Sequence, residues 1–120
     1  MQVTRPYAPG MLYVVLFTDN RDRADVRQRL MPAHLAFLVR HQARIRAAGP
    51  LLEDDARGAG GLWLVDADSS QAVMELVRAD PFWPAGLRQD VRVLRWLQVF
   101  ADGRRLHQGA GDSAATIDEA

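Results

Sequence analysis

The stretch "MLYVVLFT", Met11 to Thr18, decides the fold. It is an almost unbroken apolar run rich in β-branched and aromatic residues, preceded by Pro9 and Gly10, and it predicts a buried strand. Side chains alternate across a strand, so Leu12, Val14 and Leu16 point one way and Met11, Tyr13, Val15 and Phe17 the other. Both faces are therefore apolar, and each needs a cover.

Working outward, Asp19 and Asn20 can cap a helix, and "RDRADVRQRL" directly after them predicts a short one before Pro32. Proline disfavours helix at the preceding residue but suits the first position of a new one. The main helix is accordingly expected from Pro32 to Ala48, with Gly49 and Pro50 as its stop. Leu35, Leu38 and Ile45 form its apolar side, with Arg40 and Arg44 roughly opposite. "LLED" predicts a short strand and "DDARGAGG" a glycine-rich hairpin connection, with the next strand at "GLWLVDA", Gly61 to Ala67. Asp68 and Gln71 fit a capping box opening a helix through Arg78, which must end near Asp80 because Pro81 comes next. After the compact loop "DPFWPAG", the last strand is expected at "VRVLRWLQVF", Val91 to Phe100.

Strand, helix, strand, strand, helix, strand is the order of an α+β, ferredoxin-like βαββαβ sandwich, a four-stranded antiparallel sheet with both helices on one face. Two helices cover only one face. In the last strand, too, Val91, Val93, Leu97 and Val99 oppose Leu94, Trp96 and Phe100, so the uncovered face predicts a homodimer packed through the sheets. The chain divides into an N-terminal tail (1–10), one domain (11–100) and a C-terminal tail (101–120) of low periodicity.

Composition narrows the function. The chain has 120 residues, enough for one domain, and its 48% hydrophobic and 25% charged residues are globular proportions. A formal charge of +0 supplies no field that would draw the protein to nucleic acid or an anionic membrane, so neither is an expected partner. All fifteen Lys and Arg positions are Arg, which reads as routine surface charge. The absence of cysteine excludes disulfides, thiolate metal sites and cysteine nucleophiles. No apolar run is long enough to span a bilayer and the start lacks the apolar core of a signal peptide, so the expected location is cytoplasmic.

No metal site or cofactor is expected. His34, His41 and His107 do not give a close pair with a carboxylate. "RGAGG" lacks the strand-to-helix context of a phosphate loop. Ser69, Ser70 and Ser113 lie at a helix cap or in a tail rather than on a nucleophile elbow. Histidines and carboxylates remain. His34 and His41, seven residues apart, share nearly one azimuth on a helix. In a helix beginning at Pro32, His34 falls in the first turn, where the dipole disfavours the imidazolium. Asp80, held extended by Pro81, can meet it if the two helices are neighbours, and would then fix the imidazole tautomer. A hydrogen-bonded structural histidine and a turn-forming aspartate are the other reading of the same residues. His41, between Arg40 and Arg44 along the helix, reads as a surface or interface residue, and His107 lies in the tail.

"MLYVVLFTDN", "PAHLAFLVRHQARIRAAGPLLED", "GLWLVDADS", "ADPFWPAGL" and "VRVLRWLQVF" together resemble the YCII-related (YciI-like) family over about Met11 to Phe100. The resemblance implies a dimeric α/β barrel and a site centred on a His and an Asp, which carry over to His34 of "PAHL" and Asp80 of "ADPF". Family members commonly carry an Arg before this Pro. Here Met31 stands there, and Arg29 is the candidate to contact a substrate anion. The implied function is a small cofactor-independent enzyme, an isomerase or lyase moving a proton on a cyclic or aromatic-derived metabolite. His34 would be base then acid, Asp80 its orienting partner, and Tyr13, Phe17, Phe82 and Trp83 the pocket walls. The alternative is a non-catalytic dimeric module that binds a small ligand or a protein.

Overall fold

A computed structural model describes residues 11–106. The first strand, β1 (Met11–Asp19), leads through a single 3-10 turn into α1 (Ala24–Arg40). Then come β2 (Ile45–Leu52), β3 (Gly58–Ala67), α2 (Ser70–Ala79) and β4 (Arg88–Arg95). The sheet order is β2-β3-β1-β4 with every pair antiparallel, the ferredoxin-like arrangement. A separate hairpin of β5 (Phe100–Ala101) and β6 (Arg104–Arg105) turns on Asp102 and Gly103, both at positive φ as a tight two-residue hairpin turn requires. The tails 1–10 and 107–120, with His107, lie outside the described residues.

The core lies between the helices and one face of the sheet. Tyr13, Val15 and Phe17 of β1 are buried there, Val15 opposite Trp63 and Val93 on its two neighbours. Trp63, 1% exposed, is the largest fully buried side chain, and Val73, Leu76 and Val77 close over the sheet from α2. On the other face Leu12, Val14, Leu16, Leu62 and Leu64 stay half-buried and Leu94 is exposed. The two-faced apolar character read from β1 thus survives folding, with one face left to solvent in the single chain.

The largest departures from the sequence expectation lie in α1 and β2. One helix, α1, replaces the expected pair, with Pro32 inside it. Proline there forfeits one backbone bond, and its exposed side chain disturbs no packing. The helix ends at Arg40 rather than Ala48, so "AGP" is strand: β2 runs through Gly49 and Pro50. Since β2 is an edge strand, a residue without N–H costs it little. The expected apolar side of the helix changes accordingly. Val26, His34 and Phe37 are the buried residues of α1, Leu35 is 51% exposed, and Ile45 belongs to β2.

The other differences are local. The α2 cap is Ser69, whose Oγ accepts from the Ala72 N–H, instead of an Asp68 box. β3 begins at Gly58 and absorbs the glycines expected in the connection; Gly60 (φ +104) passes so close to β1 that a Cβ would lie 2.0 Å from the Phe17 carbonyl oxygen. The last strand stops at Arg95, and Phe100 pairs with Arg105.

Candidate active site

The site forms where α1, the loop after α2 and the sheet converge. Asp80 is the C-cap of α2, with extended backbone (φ −68°, ψ 133°) as Pro81 after it demands. Its Oδ1 accepts the Phe82 N–H at 3.2 Å, an Asx-type turn that fixes the carboxylate direction. The same Oδ1 lies 2.9 Å from His34 Nδ1. Both side chains are buried, 7% exposed for His34 and 2% for Asp80. A carboxylate acceptor at Nδ1 selects the tautomer with its proton there, leaving the Nε2 lone pair as the ring's basic site.

His34 is in the interior of α1, not in the first turn, because the helix begins at Ala24. The helix-dipole argument therefore does not apply to it. Its ring is held instead by aromatic packing: Phe82 stacks at 4.1 Å between centroids and Trp63 lies at 6.5 Å on the sheet. His41 caps the end of α1 and packs on Phe37 at 4.6 Å, away from this pair.

A second polar group adjoins the dyad. Register shifts between Thr18 and Asp19, where β1 meets β4, and Asp19 comes opposite Arg88. Asp19 then takes two arginines, Arg88 Nη1 on Oδ1 at 2.8 Å and Arg27 Nη2 on Oδ2 at 2.7 Å. The Arg88 side chain is only 3% exposed, and burial pushes its guanidinium below the usual arginine range against the opposing pull of Asp19. Its charged carbon lies 4.0 Å from the Phe17 ring centre and 5.1 Å from that of Phe82, while Arg27 covers Phe82 at 5.5 Å. Trp63, His34, Phe82, Arg88 and Phe17 thus form a closed circuit of contacts.

Beside this circuit opens a cavity of about 640 Å³ whose wall includes Asp19, Arg21, Arg27, Glu53, Arg57 and Gly60. Arg27 belongs both to that wall and to the contact with Phe82, so it links the cavity to the ring stacked on His34.

Of the residues singled out from the sequence, the fold brings His34, Asp80, Phe82 and Phe17 together. Tyr13 and Trp83 pack with the main core. Arg29 is exposed on α1, whereas Arg27, two residues earlier, carries the ion pair. Met31 packs against the apolar group of Val26, Phe82 and Leu87. Sequence reasoning missed Arg88, Asp19, Arg27 and Trp63. Asp19 and Arg88 could have been found only from the strand register. Among the described residues no group of three His, Asp or Glu side chains could hold a metal ion, and no helix is long and apolar enough to cross a membrane.

The family model of the YCII-related domain matches residues 11–97. Protein YciI of Escherichia coli is 33% identical over 98 residues, covering 75% of this chain and 100% of that protein, and YciI of Shigella flexneri matches equally. Among solved structures, the 5-chloro-2-hydroxyhydroquinone dehydrochlorinase of Burkholderia phenoliruptrix, in complex with 2,5-dihydroxybenzoquinone, is 33% identical with a TM-score of 0.65. That likeness covers 73% of this chain and 95% of the other.

Proposed function

Because this chain belongs to the YCII-related family, we propose that it is a small acid-base enzyme acting on a cyclic or aromatic-derived metabolite, as an isomerase or lyase. The observation that carries this reading is the 2.9 Å contact of His34 Nδ1 with Asp80 Oδ1, buried against Phe82, whose ring Arg27 connects to the wall of the neighbouring cavity. His34 Nε2 takes a proton from the substrate, and Asp80 stabilises the imidazolium that results. The ring then returns the proton at a second substrate atom in an isomerisation, or passes it to solvent after a leaving group departs with its bonding pair. The dehydrochlorinase likeness favours the second route, with a halogenated hydroxyquinol losing chloride as the proton moves to His34.

The acting unit in this reading is a homodimer whose sheets pack through Val14, Leu16, Leu62, Leu64 and Leu94, since half-exposed apolar residues on a sheet face gain by mutual burial. We read the protein as cytoplasmic, a location compatible with a chain that has no cysteine.

The test is a panel of hydroxyquinols, quinones and lactones, ranked by thermal shift on the wild type and then assayed for turnover or chloride release. The expected result is turnover by the wild type that His34→Ala and Asp80→Ala both lose. Ligand stabilisation without turnover of any bound compound would overturn the enzyme reading in favour of a binding module.

A further inference from the structure

Two exposed surfaces at opposite corners of the sheet complement each other in charge and in apolar character. After β4 the backbone pairs once more with β1, the Trp96 N–H donating to the Leu12 carbonyl at 2.8 Å, and then leaves the sheet as the β5–β6 hairpin. Among the described residues, β5 and β6 pair only with each other. The cross-strand pair of Phe100 and Arg105 puts a ring and a guanidinium on one face of this hairpin, and Phe100 is 58% exposed. Arg95, Arg104 and Arg105 surround a single acid, Asp102, and none of the four has an ion pair among the described residues. The hairpin is therefore apolar and basic.

The matching surface is the end of β2. That strand runs out through Leu51 and Leu52, the latter 59% exposed, into Glu53, Asp54 and Asp55. Asp55 is taken by Arg57, which gives it a backbone N–H at 3.1 Å and its guanidinium at 3.5 Å. Glu53 and Asp54 have no ion pair among the described residues. Backbone bonds from Glu53 N–H to the Arg57 carbonyl and from Ala56 N–H to the Glu53 carbonyl fix the turn.

The hairpin does not reach the turn of its own chain. In the order β2-β3-β1-β4 the hairpin leaves beside the start of β1, whereas the acidic turn lies beyond its end and on the opposite edge. Strand spacing and strand length put these corners about 25 Å apart. A second copy brings them together. A twofold axis between two facing sheets exchanges these corners when it follows the other diagonal of the face, and the strands then cross steeply, one of the two ways sheets pack. Leu94 and Trp96, both exposed, carry the apolar sheet face up to the hairpin, so the contact continues that face.

We infer that the β5–β6 hairpin of one protomer docks on the β2–β3 turn of its partner, Phe100 against Leu52 and Arg105 against Glu53 and Asp54, with the contact formed twice. This rests on the homodimer proposed above and adds the orientation of its two sheets. It also bears on the site: Glu53 and Arg57 of the turn line the cavity, so the hairpin of the second copy borders the cavity of the first.

The natural chain has no cysteine, so introduced thiols report on this contact alone. Arg105→Cys and Asp54→Cys proteins, each on the full chain, are mixed, allowed to exchange subunits and treated with a short bismaleimide, with sedimentation run alongside. The expected result is a covalent dimer from the mixture and none from either variant by itself. Arg105→Glu should weaken dimerisation by about tenfold, the scale of two exposed ion pairs turned repulsive, and adding Asp54→Arg should restore most of it. Sedimentation as a dimer whose mixture does not cross-link, Arg105→Cys linking to itself, or no recovery in the double reversal would each overturn this contact while leaving the homodimer standing. A monomeric wild type would overturn both.

Discussion

His34 and Asp80 are separated by 46 residues yet meet at 2.9 Å, Nδ1 to Oδ1, and the same oxygen receives the Phe82 N–H. One carboxylate oxygen therefore ties α1 to the turn after α2. Asp80→Ala leaves two buried donors unsatisfied and should destabilise the fold by about 3 kcal/mol. Asp80→Asn retains an acceptor and should cost less than half of that. Urea unfolding of the two variants, compared with wild type, measures the difference.

Asp19 should matter more to stability than Arg88, although Arg88 is the more deeply buried. Removing the carboxylate in Asp19→Asn strips the counter-charge from Arg88 and Arg27 together, a loss of about 3 kcal/mol by the usual cost of orphaning a buried ion. Arg88→Met removes the cation whose burial is penalised and leaves Asp19 paired with Arg27, so it should cost less. Because burial lowers the Arg88 pKa, its penalty is present wherever the folded guanidinium is charged, through neutral pH, and lifts only as pH rises through that lowered value towards the ordinary arginine range. The order of the two variants in denaturant midpoints at neutral pH checks this.

Among the described residues, Gly60 is the least replaceable glycine. Its φ of +104° and a Cβ contact of 2.0 Å with the Phe17 carbonyl oxygen combine backbone strain with a clash against the neighbouring strand. Gly60→Ala should lower stability by about 3 kcal/mol or more, the upper end for one strained residue. Gly49→Ala, where an added Cβ meets nothing within 4 Å, should be nearly neutral. Thermal melts of the pair give the contrast.

The open sheet face should hold two copies together. The wild type is expected to sediment as a dimer at micromolar concentration, and Leu64→Arg, which places a charge amid Val14, Leu16 and Leu62, should sediment as a monomer with its secondary structure unchanged. A monomeric wild type would contradict this.

β1 and β3 were legible because their apolar runs are long and β-rich: "MLYVVLFT" and "GLWLVDA" each lie inside an observed strand, whereas most of β2 was read as helix. The helix boundaries were less so, because proline and glycine act by position. Pro32 is tolerated on an exposed part of α1 and Pro50 on the edge strand β2, and neither circumstance is written locally. The pairing of His34 with Asp80 was legible through the family motif and the local Asp-Pro turn, not through the first-turn position read for His34, which it does not hold. Arg88 was not legible, because its burial follows from the register shift at Thr18 and Asp19, which only pairing of β1 with β4 creates. The aromatic walls were half legible for a similar reason: Phe17 and Phe82 reach the site while Tyr13 and Trp83 serve the core, and composition does not tell these fates apart.

The most direct test of the acid-base account is kcat/KM for wild type, His34→Gln and Asp80→Asn on the best cyclic substrate of the panel, with melting temperatures measured alongside. The account predicts a loss of roughly 10²-fold or more in both variants, the contribution of a positioned general acid-base, with each protein still folded. Variants that stay folded and turn over within twofold of the wild type would contradict it.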